Sequence, residues 1–191
     1  MPEYLRPFTH QVHADGTIPD AASVTQRHLK DLQGLFADPE AEAALMAENP
    51  LIYQVFEASG NPEVAGHLRY STTVMRPGKV GDEYFMTKGH YHAQGDRGEL
   101  YYGLGGEGYL LLQTPEGEID AQRMTPGSAA YVPPYWGHRT INTGKAPFVF
   151  LAVYPADAGY DYKTIADEGF AAIIVERNGQ PAIIPNPRRQ S

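Results

Sequence analysis

The sequence predicts a mostly β domain, a sandwich or barrel carrying an N-terminal helical extension. Three observations carry that expectation. The 20 glycines and 16 prolines do not cluster but punctuate the middle of the chain, as short turns between many strands require. From Leu51 onward, short runs rich in β-branched and aromatic residues alternate with turn residues. Helical periodicity is confined to residues 1–50.

Taken in order, Thr25 to Phe36 places Leu29, Leu32 and Phe36 at helical spacing, so a first helix is expected there. Asp38-Pro39-Glu40 reads as an N-cap, a first-turn proline and an early acidic residue. It opens a second, alanine-rich helix that runs to about Glu48. The strands expected next are LIYQVFEAS, LRYSTTVM, DEYFMTKGHYH, ELYYGL, GYLLLQT, EIDAQRM and FVFLAVY. Their turns include Asn61-Pro62, Pro77-Gly78, Pro126-Gly127 and Asn142-Thr143-Gly144. A short helical turn is expected around Thr164 to Glu168. AAIIVERNGQPAII reads as a closing hairpin, with Asn178-Gly179 as its type I′ dipeptide. No internal repeat is evident. The reading is one domain over 1–191, with 1–50 as the extension and 51–191 as barrel core and C-terminal hairpin.

Composition narrows the function classes. At 42% apolar, the 191 residues can bury a core without disulfides. A net charge of −8 argues against nucleic acid, whose phosphates select basic surfaces, and against an anionic membrane face. It leaves room for a small anion in a local pocket. The longest strongly apolar run, Phe148 to Tyr154, is far below the ~18 residues of a spanning helix. The opening MPEYLRPFTHQVH has no basic region followed by an apolar stretch, so a cytoplasmic location is expected. The absence of cysteine excludes thiolate nucleophiles and Cys-ligated zinc.

Gly103-Leu104-Gly105-Gly106-Glu107-Gly108 spells the G-x-G-x-x-G of dinucleotide sites. That fingerprint needs a helix to follow, because the pyrophosphate sits on a helix N-terminus. The strand-like YLLLQT follows instead, so these glycines read as a tight turn.

The chemistry gathers in Gly89-His90-Tyr91-His92, Glu99 and His138. On a strand, His90 and His92 project from one face. Glu99 can lie across from them on the next strand, and His138 follows the Pro133-Pro134-Tyr135-Trp136 turn. Three imidazoles and one carboxylate, with room left for water or substrate, suit a divalent first-row metal: iron, manganese, nickel, cobalt or zinc. His10, His13, His28 and His67 read as ordinary surface or hydrogen-bonded histidines.

The ordered set resembles the two signatures of the cupin superfamily. His90, His92, Glu99 and Gly106 match the first; Gly127, Pro133, His138 and Asn142 match the second. Three departures are visible. Tyr84 stands where the first motif opens with glycine, six residues separate His92 from Glu99, and Tyr135 replaces the second motif's inner glycine. The strings TVMRPGKVGDEYFMTKGHYH, LLQTPEGE, YVPPYWGHRTINTG and FLAVYPADAGYDY are similar to the cupin-type glucose-6-phosphate isomerases of archaea and some bacteria.

That resemblance implies a jelly-roll barrel and a cytoplasmic enzyme of glycolysis and gluconeogenesis. It implies one metal ion per chain, Fe2+ foremost, held by His90, His92, Glu99 and His138, with Glu99 also the candidate catalytic base. The substrate would be a small sugar phosphate, with no nucleic acid or membrane partner. Thr73, Thr87, Gly89, Tyr101, Tyr154 and Tyr162 would bind it. The resemblance also implies a homodimer, formed by swapping or packing N-terminal strands. The reaction is a proton transfer between C1 and C2 through a cis-enediol(ate), or a metal-assisted hydride shift. Strand alternation turns Thr87 away from His90 and His92 unless Gly89 introduces a bulge. Two rival classes share the frame: a metal-dependent cupin oxygenase and a non-catalytic sugar-binding cupin.

Overall fold

A computed structural model describes residues 4–58 and 60–189; Ser59, the last residue of LIYQVFEAS, and the first three residues of the chain lie outside them. Among the described residues, thirteen strands and two α-helices follow one another. The strands are β1 Ser23–His28, β2 Leu51–Glu57, β3 Leu68–Met75, β4 Lys79–Val80, β5 Glu83–Tyr84, β6 Glu99–Gly105 and β7 Gly108–Gln113. They continue as β8 Ile119–Met124, β9 Ala129–Val132, β10 Gly137–Asn142, β11 Phe148–Pro155, β12 Ala172–Arg177 and β13 Gln180–Pro185. The helices are α1 Pro39–Leu45 and α2 Lys163–Glu168.

One sheet runs β1-β2-β3-β11-β6-β9, a second β10-β7-β8, and a third β13-β12-β5-β4. The second is widened by residues 86–90, which bridge β10 through Met86–Ile141 and His90–His138. The two facing four-strand orders, β3-β11-β6-β9 and 86–90-β10-β7-β8, are the double Greek key of a jelly roll. Alternation decides what enters the barrel. Glu99, Tyr101 and Gly103 of β6 point inward while Leu100 and Tyr102 point out. Phe148, Phe150, Ala152 and Tyr154 of β11 are buried likewise. Leu110, Leu112, Met75, Val132 and Ile141 fill the space between the sheets.

The N-terminal extension corrects one expectation. Residues 23–28 form strand β1, paired with β2 from Ser23–Glu57 onward, where a helix over 25–36 was expected. Only Leu29–Leu32 turns, as a 3-10 helix. A 3-10 turn sets residues three apart on one side, so Leu29 and Leu32 are both buried without an α-helix. The second helix forms as expected but ends at Leu45. Asp38 Oδ1 caps it by accepting from the backbone N–H of Glu40 and Ala41.

The run DEYFMTKGHYH is not one strand either. β5 covers only Glu83–Tyr84, and the rest meets its neighbours through isolated bridges at Met86, His90 and Tyr91. Gly89, with φ +76°, breaks its regularity. The G-x-G-x-x-G run is a turn between β6 and β7, and Asn178-Gly179 closes the β12–β13 hairpin with φ of 53° and 75°.

Candidate metal centre and substrate cavity

His90 and His138 sit directly opposite one another. His90 N–H donates to His138 O at 3.1 Å and His138 N–H to His90 O at 3.0 Å. This doubly bonded pair sends both rings to the same side, with centroids 4.5 Å apart. His92 lies two residues on, past the Tyr91–Asp161 bridge. Glu99 enters from the first residue of β6, in the facing sheet. One ligand atom from each of His90, His92, Glu99 and His138 lies within 4.8 Å of the others.

Three features of these side chains fit a bound cation. His92 Nδ1 pairs with the Arg97 carbonyl at 2.9 Å and His138 Nδ1 with the Trp136 carbonyl at 3.3 Å. Each Nδ1 is thereby the protonated one, which leaves Nε2 as a lone-pair donor facing the centre. The Nε2 atoms of His90 and His138 are buried without a hydrogen-bond partner, although His138 Nε2 lies 3.0 Å from Glu99 Oε2. Buried polar atoms in proteins are as a rule satisfied, so two orphaned lone pairs beside a carboxylate suit a metal ion.

The electrostatics agree. Burial, reinforced by the neighbouring His138, holds the His90 imidazole well below its usual pKa and therefore neutral. Burial pushes the Glu99 carboxyl up. With His138 and His92 protonated at Nε2 as well, their hydrogen bonds outweigh that and bring it down to about 2; a cation in place of those protons favours the same ionised carboxylate. Burial, together with the Glu99 carboxylate beside it, drives the Tyr101 phenol far above its ordinary range.

The loop between His92 and Glu99 is held from outside the cavity. Arg97 forks onto Asp157, with Nε–Oδ1 at 3.1 Å and Nη2–Oδ2 at 2.7 Å, while its carbonyl takes the His92 proton.

His90, Glu99 and His138 border a solvent-open cavity whose empty space, open solvent included, is about 610 Å³. Thr73, Thr87, Gly89, Tyr101, Tyr154 and Tyr162 all line it as well, so every substrate position expected from the sequence is brought to one wall or another. Thr87 shares the cavity with His90 because the left-handed Gly89 shifts the alternation between them. Thr87 Oγ1 accepts the Thr140 N–H at 3.0 Å and lies 3.2 Å from Thr140 Oγ1, which leaves its own proton free to donate.

Sequence reasoning missed several cavity residues. Lys88 brings a cation to the lining, its Nζ 5.4 Å from the Tyr162 ring centre. Tyr160 stacks on Tyr162 at 5.5 Å, packs edge-on against His90, and donates to the Tyr154 oxygen at 3.1 Å. Tyr154 in turn donates to Glu57 Oε2 at 2.7 Å. The spacing Tyr160-x-Tyr162 was the available signal for Tyr160. Lone Lys88 and Glu57 carried none.

The chain matches the glucose-6-phosphate isomerase family over residues 26–186. It is 52% identical to the glucose-6-phosphate isomerase of Thermococcus gammatolerans over 187 residues, which are 97% of this chain and 98% of that one. Against the enzyme of the same name from Pyrococcus furiosus it is 49% identical over 186 residues, again 97% and 98% of the two chains. A bacterial relative, the glucose-6-phosphate isomerase of Sinorhizobium medicae, is 45% identical over 94% of this chain and 85% of its own. Among solved structures, oxalate decarboxylase from Bacillus subtilis aligns with a TM-score of 0.45 and 26% identity, over 56% of this chain and about a quarter (26%) of that one.

Proposed function

The chain belongs to the glucose-6-phosphate isomerase family, and from that premise we propose that it interconverts glucose 6-phosphate and fructose 6-phosphate at the His90–His92–Glu99–His138 centre. The observation that carries the reading is the convergence of three imidazoles and a carboxylate, three of these four side chains bordering a cavity that is also lined by Thr73, Thr87, Gly89 and Tyr154.

These four side chains would hold one divalent first-row ion, Fe2+ foremost. Bound there, it supplies positive charge for the oxygens on C1 and C2 as an enediolate develops. Glu99 takes the C2 proton of the open-chain aldose and returns it to C1 while the O2 hydroxyl proton passes to O1, giving the ketose; the reverse reaction runs the same path. Tyr101, whose phenol stays protonated beside Glu99, orients that carboxylate. At the other end of the sugar, the Thr87 hydroxyl, the Gly89 N–H and the Lys88 ammonium face the phosphate, with Thr73, Tyr154 and Tyr162 completing the pocket.

We read the protein as a cytoplasmic homodimer. The dimer reading is supported by β1, an edge strand with half-exposed Val24, and by Leu100 and Tyr131, paired and exposed on the outer face of the same sheet. Among the described residues no helix is long and apolar enough to cross a membrane.

Replacing Glu99 by Gln tests the reading. The amide keeps size and one ligating oxygen but loses charge and basicity. The expected result is partial retention of metal with kcat lowered by about 100-fold or more, the ordinary scale of a general base. Wild-type turnover should exchange the substrate's C2 hydrogen with solvent deuterium. Turnover without exchange would leave Glu99 a ligand and favour the hydride shift. Near-normal kcat in the metal-loaded variant would defeat the base assignment.

A further inference from the structure

Arg139 lies next to His138 on β10 but sends its side chain to the other face of the strand, where it is 4% exposed. A buried guanidinium is costly unless its five N–H groups and its charge are matched. Here the Glu83 carboxylate offsets part of the charge, but the N–H groups are matched poorly. Nη2 donates to the Lys88 carbonyl at 2.9 Å, Nη1 reaches only the Met86 sulfur at 2.7 Å, and Nε has no partner. The planar group lies over Phe170, 4.3 Å from the ring centre. An arrangement this expensive is held to the segment Met86–Gly89, the wall that carries the phosphate-facing groups.

The consequence follows from peptide geometry. In a trans peptide the C=O and the next N–H point in opposite directions. Arg139 draws the Lys88 carbonyl to its own side, so the Gly89 N–H of the same peptide turns the other way, toward the cavity that Gly89 lines. That N–H has no partner among the described residues. Gly89 is fitted to the arrangement twice over. Its φ is +76°, and a Cβ there would lie 3.0 Å from Arg139 Nε and 2.9 Å from Phe170.

We propose that Arg139 is a positioning residue for substrate affinity, turning the Gly89 N–H into the cavity as a donor to a phosphate oxygen. The proposal rests on the functional reading above. Arg139 touches no substrate and acts through the Lys88–Gly89 peptide.

The test compares metal-loaded wild-type protein with Arg139→Met, which keeps length but donates nothing, and Arg139→Lys, which keeps the charge and can still reach the carbonyl. For Arg139→Met we expect wild-type metal content, a KM for glucose 6-phosphate raised about 10-fold or more, and kcat within about threefold. Competitive inhibition by inorganic phosphate should weaken in parallel. Arg139→Lys should give a smaller rise, roughly threefold in both quantities, because the lysine restores one bond. Unchanged KM and phosphate inhibition in Arg139→Met overturn the proposal, as does a loss of kcat and metal with KM unmoved. Should the methionine variant fail to fold, an unchanged KM in Arg139→Lys overturns it equally. If metal-loaded wild-type protein shows no isomerase activity at all, the functional reading has failed, not the role of Arg139.

Discussion

The Tyr154 phenol donates to Glu57 Oε2 at 2.7 Å, which commits its only proton and leaves its oxygen to accept from Tyr160. Burial, with Tyr160 and Glu57 beside it, holds the phenol protonated far above its ordinary range. In the proposed binding wall Tyr154 would act by fixing Tyr160, or by giving up the Glu57 bond to a phosphate oxygen. Either way the hydroxyl matters for affinity and not for the metal. Tyr154→Phe should raise KM for the sugar phosphate by about 10-fold, the scale of one hydrogen bond to a charged group, with metal content unchanged. Steady-state kinetics with metal analysis checks this, and an unchanged KM removes Tyr154 from the binding wall.

Glu83 supplies a pH-dependent prediction away from the centre. It is buried, and burial raises its pKa to about 7, although the Ala37 N–H at 2.8 Å and the charges of Arg139 and Arg188 act against the shift. Glu42 adds a like charge. Between about pH 4.5 and 7 the native state binds more protons at this site than the unfolded chain does. Stability is therefore lost as pH rises through that window. Glu83→Gln keeps an acceptor for Ala37 and cannot ionise. It should match wild type below the window and exceed it by about 1–3 kcal/mol above pH 7 in urea titrations. Equal stability of the two proteins at pH 8 would show that Glu83 is not held neutral by burial.

Tyr135 occupies the left-handed region, φ +70°, at the place where the second cupin signature carries glycine. Its N–H donates to the Gly95 carbonyl at 2.6 Å, tying the turn that precedes His138 to the loop between His92 and Glu99. The side chain is 64% exposed and packs against Gly95, so little burial offsets the backbone strain. Tyr135→Gly should relieve about 1–2 kcal/mol of strain and lose part of that to chain entropy, for a net gain of about 0.5–1 kcal/mol. Thermal unfolding measures it. A lowered Tm would mean that the ring contact outweighs the strain.

Short β-branched and aromatic runs bounded by turn residues were legible in the sequence. LRYSTTVM, GYLLLQT and EIDAQRM became β3, β7 and β8, although the second half of β3 and nearly all of β7 are buried on both faces, so that composition and turn spacing marked them and not alternation. Thr25–Phe36 misled because Leu29 and Leu32 satisfy a helical spacing and a 3-10 turn equally, while pairing to β2 is a long-range fact that no local window contains. DEYFMTKGHYH misled because the left-handed Gly89 sits inside an otherwise strand-like run. At the site, His90, His92, Glu99 and His138 announced themselves as an ordered set. Arg97, Arg139 and Glu57 act by what they hold, and only the packed structure relates each of them to its partner.

The central claim is that isomerisation depends on a divalent ion held by His90, His92, Glu99 and His138. The most direct measurement follows glucose 6-phosphate conversion to fructose 6-phosphate in metal-analysed protein, before chelation, after chelation, and after return of Fe2+, alongside His138→Ala. The account predicts one ion per chain in active wild type, loss of activity on chelation, and recovery on return of the metal. His138→Ala should keep its β fold while its metal affinity falls steeply, so the same Fe2+ concentration fails to restore it. Full activity in metal-free wild type, or in His138→Ala with stoichiometric metal, would contradict the account.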